Sequence, residues 1–217
     1  LPDPTSEYRA TWLGRVIEDI GRILNVTRNY QGRSQLEDMV RTHQVVRQLA
    51  DAIPDVPGAS ASEEGIISGL RATVETTALA LVNALAAQAM AVITQTADQH
   101  KPQGLRGRAA RLLARGQDVE TVIRSRGETL ANNLRGSRTS LNKQQEVWGI
   151  TYQVGGEAVR AYEQGQTELA PVLWTLYEQL LPLEAQMAQV LGRDALRDHP
   201  DHQARVAAHT RATTGQP

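Results

Sequence analysis

Apolar residues recur every three or four positions along most of the chain. Near the start, Tyr8, Trp12, Val16, Ile20, Ile23, Thr27 and Tyr30 form one such series, and Leu13, Ile17 and Leu24 widen it. That spacing keeps one face of a helix dry. Leu1-Pro2-Asp3-Pro4-Thr5-Ser6 precedes it, with prolines ahead of the helix and Thr5 or Ser6 able to cap exposed N–H groups. The pattern predicts a first helix from about Ser6 to about Ile53. Gly14, Gly21 and Gly32 interrupt its propensity, each at about 1 kcal/mol relative to Ala. Gln31-Gly32-Arg33-Ser34 is its weakest point. Beyond it, Leu36, Met39, Val40, His43, Val46 and Leu49 or Ala50 resume the stripe.

Pro54-Asp55-Val56-Pro57-Gly58-Ala59-Ser60 cannot continue a helix and reads as a loop. Ser60-Ala61-Ser62-Glu63 then has the form of a capping box. It predicts a second helix extending to about Gln99, Ala-rich between Ala78 and Ala91, where neighbouring backbones can approach closely. The most apolar stretch, Ala78 to Ile93, contains Asn83 and Gln88 and is shorter than a bilayer span. It reads as a buried helix and not as a transmembrane segment.

His100-Lys101-Pro102-Gln103-Gly104 is a second loop. Arg106, Arg108, Arg111 and Arg115, with Leu112 and Leu113 between them, predict a short basic amphipathic helix ended by Gly116. Asp118 can cap a third long helix from Val119 to about Gly165, with Gly127, Gly136 and Gly155-Gly156 as weak points. Its apolar positions are Leu130, Leu134, Leu141, Val147 or Trp148, Tyr152, Val159 and Tyr162. Pro171 can open a last helix in its first turn, bent at Pro182 and stopped at Gly192. Its face is Leu173, Trp174, Leu176, Tyr177, Leu180, Leu181, Leu183, Met187, Val190 and Leu191. From Arg193 the apolar content drops, which predicts a flexible tail, at most weakly helical. The expected fold is therefore all-α: an elongated bundle of about three long helices over residues 1–192, an appendage at about 100–118, and a tail over 193–217.

Composition agrees. Aromatic residues are 4% and Phe is absent, which favours closely packed helices over a sheet-based core. The net charge of −1 gives no global attraction to nucleic acid or anionic lipid. Cys is absent, which removes disulfides, thiol catalysis and thiolate metal sites. The chain begins at Leu, compatible with a mature form after signal cleavage or with a fragment.

Chemical motifs are few. Gly104-Leu105-Arg106-Gly107 lacks the spacing of a phosphate loop, no Gly-x-Ser-x-Gly elbow occurs, and paired Glu-x-x-His motifs are absent. Asp198-His199-Pro200-Asp201-His202, with His209, holds competent metal ligands, yet reads more simply as a solvated tail. His43 reads as a partly buried, hydrogen-bonded side chain and His100 as a surface loop residue. Trp12, Trp148 and Trp174 fall on apolar stripes, as core or partner-facing anchors. No catalytic, cofactor or metal residue is assigned, and enzymatic turnover is not expected. The segment from Gln117 to Gly136 has the outline of a DNA-reading helix-turn-helix with its turn at Gly127. Arg124, Arg126, Arg135 and Arg138 would lie near phosphates. The competing reading is one long bundle helix with a solvated basic face.

The opening Asp3-Pro4-Thr5, the aromatic-containing first turn, and the long helix carrying Asn25, Asn29, Tyr30 and Gln31 resemble a known pattern. So does the Gln-rich late segment from Leu141-Asn142-Lys143-Gln144-Gln145 through Gln153, Gln164, Gln166, Gln179, Gln186 and Gln189. Both are similar to the TrbJ-like minor pilus subunits of conjugative type IV secretion systems. This chain has more Arg and less Gln and Asn than that family's pattern. The resemblance implies a periplasmic or extracellular, pilus-associated helical protein without catalysis or cofactor. Its partners would be other secretion-system or pilus subunits, or a recipient-cell surface. The basic appendage would supply the contact residues Arg106, Arg108, Arg111, Leu112 and Arg115. A DNA-associated protein using the Arg-rich segment 105–138 is the alternative.

Overall fold

The computed structural model describes residues 33–51, 61–101 and 118–214. Among them every regular element is helical: α1 Arg33–Asp51, α2 Ala61–Gln99, α3 Val119–Gly136, α4 Ser140–Glu163, α5 Leu169–Leu191, a 3₁₀ turn Leu196–Asp198, and α6 Pro200–Thr214. The fold is all-α. The expected helix before Arg33, the Pro54–Ser60 loop and the basic segment 105–116 lie outside the described residues.

Two compact units divide the chain, Leu1–Val82 and Asn83–Pro217. The division falls inside α2, and residues 193–214 belong to the second unit. In the first unit, α1 buries Leu36, Met39, Val40, His43, Val46 and Ala50, the stripe its periodicity predicts. In the second, α2 buries Leu85, Ala86, Ala89, Ile93 and Ala97. Within α2, Ile67–Gln99 is long and apolar enough to cross a membrane, a longer stretch than Ala78 to Ile93; 44% of its most apolar window is buried inside the chain.

The expected third helix is two helices. Asp118 caps α3 by accepting from the Thr121 amide at 2.7 Å. α3 stops at Gly136, and Ser137 turns extended. Thr139 then caps α4 by accepting from the Asn142 amide at 3.1 Å. Gly136-Ser137-Arg138-Thr139 thus pairs a helix stop with an N-cap, a signal that the longer apolar stripe conceals. Gly127 and Gly155-Gly156, expected weak points, instead lie within unbroken helices. A Cβ on Gly127 would lie 3.2 Å from Ile93 Cγ2 of α2. Gly127 therefore marks a close approach of helices.

α4 and α5 form the most extensive helix pair of the second unit. α5 buries Leu173, Leu176, Leu180, Leu183, Met187 and Val190. α4 answers with small or polar residues: Gln144, Thr151, Gly155, Ala158 and Ala161, beside Val147, Ile150 and Val154. Small side chains let the two backbones come close. Tyr152, Val159 and Tyr162, the larger residues expected to face the core, are only half-buried. α5 runs through Pro182 without interruption and ends at Gly192, whose left-handed φ of 63° suits a residue without a Cβ.

Residues 200–214, expected to be at most weakly helical, form α6. Pro200 opens it, the position where a missing N–H costs nothing. The helix is held by groups that a hydropathy pattern does not count.

Candidate functional site

The inward stripe of α6 is Asp201, His202, Arg205, Ala208 and His209, a helical spacing occupied almost wholly by polar side chains. Arg205 is its one buried residue, and Val206 faces outward at 39% exposure. This stripe meets the aromatic flanks of α4 and α5. The Tyr152 hydroxyl donates to Asp201 Oδ2 at 2.6 Å. Tyr177 Oη lies 2.8 Å from His202 Nδ1. The His209 ring stacks flat on Trp174, with centroids 3.9 Å apart, and meets Tyr162 edge-on at 5.1 Å. His199, just ahead of α6, points at Trp148, which itself stacks on Tyr152 at 5.0 Å.

Arg205 sits at the centre. Its guanidinium lies 4.0 Å from the centroid of the Tyr152 ring and 5.8 Å from that of Tyr177. Its Nη1 is buried and has no hydrogen-bond partner among the described residues. The ring faces take the place of an anion, an attraction that strengthens when the cation is desolvated. Tyr177 is fully buried. A Cβ on Gly155 would come within 2.6 Å of its ring, so only glycine admits that ring at its present position.

Titration follows from this geometry. Burial pushes the Tyr177 hydroxyl up, and the bond to Asp201 raises that of Tyr152. Burial holds the His202 imidazole below the ordinary histidine range, and the Arg205 charge lowers it further, against an opposing pull from Asp198.

A second buried polar centre lies beneath the turn between α5 and α6. Glu184 is fully buried. Its Oε1 accepts from Gln144 Nε2 at 3.0 Å, and its Oε2 accepts from the Leu196 amide at 2.8 Å. Burial raises its pKa, only partly offset by these two bonds. Glu184 thereby ties α4, α5 and the 3₁₀ turn together. Its sequence signal was a carboxylate at a core position of the series Leu180, Glu184, Met187. Arg205 had no comparable signal, because α6 lacks an apolar stripe to interrupt.

The contact residues expected from sequence, Arg106, Arg108, Arg111, Leu112 and Arg115, lie outside the described residues. The helix-turn-helix outline does not form: α3 is one continuous helix through Gly127. Two of its arginines are engaged by carboxylates. Arg124 pairs with Glu120 at 2.8 Å and Asp98 at 3.2 Å, and Arg126 grips Glu157 with contacts at 2.6 and 3.0 Å. Lys101 and Arg124 together hold the Asp98 carboxyl below its usual range. Trp174 is a core anchor and Trp148 a half-buried one. His43 is buried. His100 donates from Nδ1 to the Thr96 carbonyl at 2.9 Å, closing the end of α2. Asp201, His202 and His209 are engaged by the aromatic flanks, and no group of three or more His, Asp or Glu able to hold a metal ion occurs among the described residues. An open cleft of about 630 Å³ lies between the start of α3 and the α4–α5 connection, lined by Asp118, Val119, Gln166, Thr167 and Glu168 among others. No protein-family model, curated protein or solved structure matches the chain.

Proposed function

We propose that this chain is a non-enzymatic assembly component acting through protein contacts, as a minor pilus subunit of a conjugative type IV secretion system. The reading assigns it to the periplasm or the pilus outside the cell, with other secretion-system subunits as partners. The observation that supports it best is the internal use of polar chemistry in the second unit. Arg124 and Arg126 are neutralised by carboxylates, Glu184 is spent on a backbone amide and a glutamine, and the histidines of α6 are packed against rings. Those groups hold helices together within the unit. The resemblance of the opening and of the Gln-rich segment to TrbJ-like subunits supplies the specific system.

Deletion of the gene in a donor cell carrying the cognate conjugative system tests the proposal. Plasmid transfer should fall and return on complementation, and the protein should fractionate with periplasm or pili. The double variant Arg108→Glu with Arg111→Glu should fold yet complement poorly. Unchanged transfer in the deletion strain would sink the reading. Salt-dependent DNA binding by the purified chain, with cytosolic location, would replace it with the DNA-associated alternative.

A further inference from the structure

We propose that α6 is a pH-responsive latch: acidification charges His202 against Tyr177 and Arg205 and releases the helix from α4 and α5. The inference rests on the docking geometry alone and does not depend on the reading of function above.

Two observations carry it. The first is how α6 is held. Among its residues only Arg205 is buried, so it docks through hydrogen bonds and ring contacts and not through apolar burial. An element with little apolar burial belongs to the part of a protein that opens locally, before the whole unfolds. The 3₁₀ turn ahead of it is anchored separately, by the bond from the Leu196 amide to Glu184. A released α6 therefore stays tethered at His199 and Pro200.

The second is the proton arrangement at His202. The Tyr177 hydroxyl is fully enclosed and needs an acceptor for its proton. Nδ1 of neutral His202, at 2.8 Å, supplies one. A proton on Nδ1 removes that acceptor and places a second cation beside the Arg205 guanidinium. The surroundings offer little compensation. From α5 the ring faces the Tyr177 hydroxyl. From its own helix it faces Arg205. From α4 comes Tyr152, already bonded to Asp201. From the turn comes Asp198, whose side chain is 66% exposed. Glu184 of α5 acts on Tyr177 at longer range and is committed to Gln144 and Leu196.

The sign follows. Burial beside the Arg205 charge makes docked His202 titrate below the ordinary histidine value. Its contribution to docking is fully present above that value and is lost as pH falls from there through the docked pKa. The other two histidines of this segment have different surroundings. His209 lies flat on Trp174, a face that accepts a cation, and Glu178 accepts from the same indole at 2.8 Å. His199 is half exposed and lies 3.7 Å from Asp201. Release uncovers the ring faces of Tyr152, Tyr162, Trp174 and Tyr177.

Hydrogen exchange of the full chain, read by mass spectrometry at about pH 5 and about pH 8 and corrected for intrinsic rates, tests the latch. Amides of 200–214 should lose protection in acid by up to about tenfold for each pH unit between the docked and undocked titrations. Amides of α4 and α5 should not. His202→Gln should abolish the acid response, whereas His199→Gln and His209→Gln should keep it. Because His202→Gln can also undock α6 at every pH, an NMR titration of the His202 ring in the wild-type chain provides the second readout. A midpoint below the ordinary histidine range supports the latch, and one at or above it overturns it. pH-independent protection of 200–214, or equal loss in α5 and α6, also overturns it.

Discussion

α5 and α6 both pack on α4, and they do so by opposite means. α5 presents Leu173, Leu176, Leu180, Leu183, Met187 and Val190 to the small-residue face of α4. α6 presents Asp201, His202, Arg205 and His209 to the aromatic flank of the same helix and of α5. Apolar burial contributes roughly 25 cal/mol per Å², is indifferent to geometry within wide limits, and does not titrate. Hydrogen bonds and cation–ring contacts contribute about 1 kcal/mol each, demand orientation, and change with protonation. One helix is built to stay and the other to respond. The difference lies in the chemistry at the contact and not in helix length or propensity.

Leu180→Ala should break the permanent side of that contrast most severely. The residue is fully buried, and its loss should cost about 2–5 kcal/mol. In denaturant titration followed by circular dichroism, α6 should be lost together with α5. An effect confined to α6 would mean that the α4–α5 pair is not the core of the unit.

Glu184→Ala comes next. It orphans the buried Leu196 amide and the Gln144 side chain, at about 1–3 kcal/mol for each group left unsatisfied. Glu184 also sharpens the comparison through pH. Burial raises its pKa in the folded chain. Its contribution relative to the ionised form is fully present below the ordinary carboxylate value and lost as pH rises through the raised one. Stability of the wild type measured against Glu184→Gln should therefore improve in acid, while α6 loosens in the same direction. If the two curves move together, a shared event and not two separate centres governs the pH response.

Gly155→Ala should be smaller. The new methyl would overlap the Tyr177 ring, an overpacking of about 1–3 kcal/mol, partly offset by about 1 kcal/mol of gained helix propensity. The displaced ring should weaken both the α4–α5 contact and the His202 bond. A denaturation midpoint at or above that of the wild type would show that the ring moves aside freely. Tyr152→Phe should be the smallest, since it removes only the bond to Asp201 at the rim of the contact. Exchange in 200–214 should rise slightly, and the global denaturation midpoint should not move.

Particular residues show where the sequence sufficed. The α1 stripe from Leu36 to Ala50 and the α5 face from Leu173 to Val190, apart from the half-buried Leu181, are buried as their periodicity predicts, because large apolar residues at helical spacing have only one way to leave water. The stops at Gly192 and the cap at Asp118 were equally legible, since each satisfies backbone groups within a few residues. The α3–α4 break was written in Gly136 and Thr139, and it was masked by an apolar stripe running past both.

Local pattern thus determined that the chain is helical, which faces of α1 and α5 are dry, and where several helices start and stop. Those outcomes depend on interactions within a few turns of the chain. Tertiary structure alone decided that Ala158, Ala161 and Gly155 would be core while Tyr152 and Tyr162 formed a flank, because small residues become valuable only when another backbone comes close. It alone decided that Glu184 would be buried with its partners and that Arg205 would find two rings. Those pairings join residues 12 to 53 positions apart, and a polar group becomes worth burying only where folding has already placed its complement.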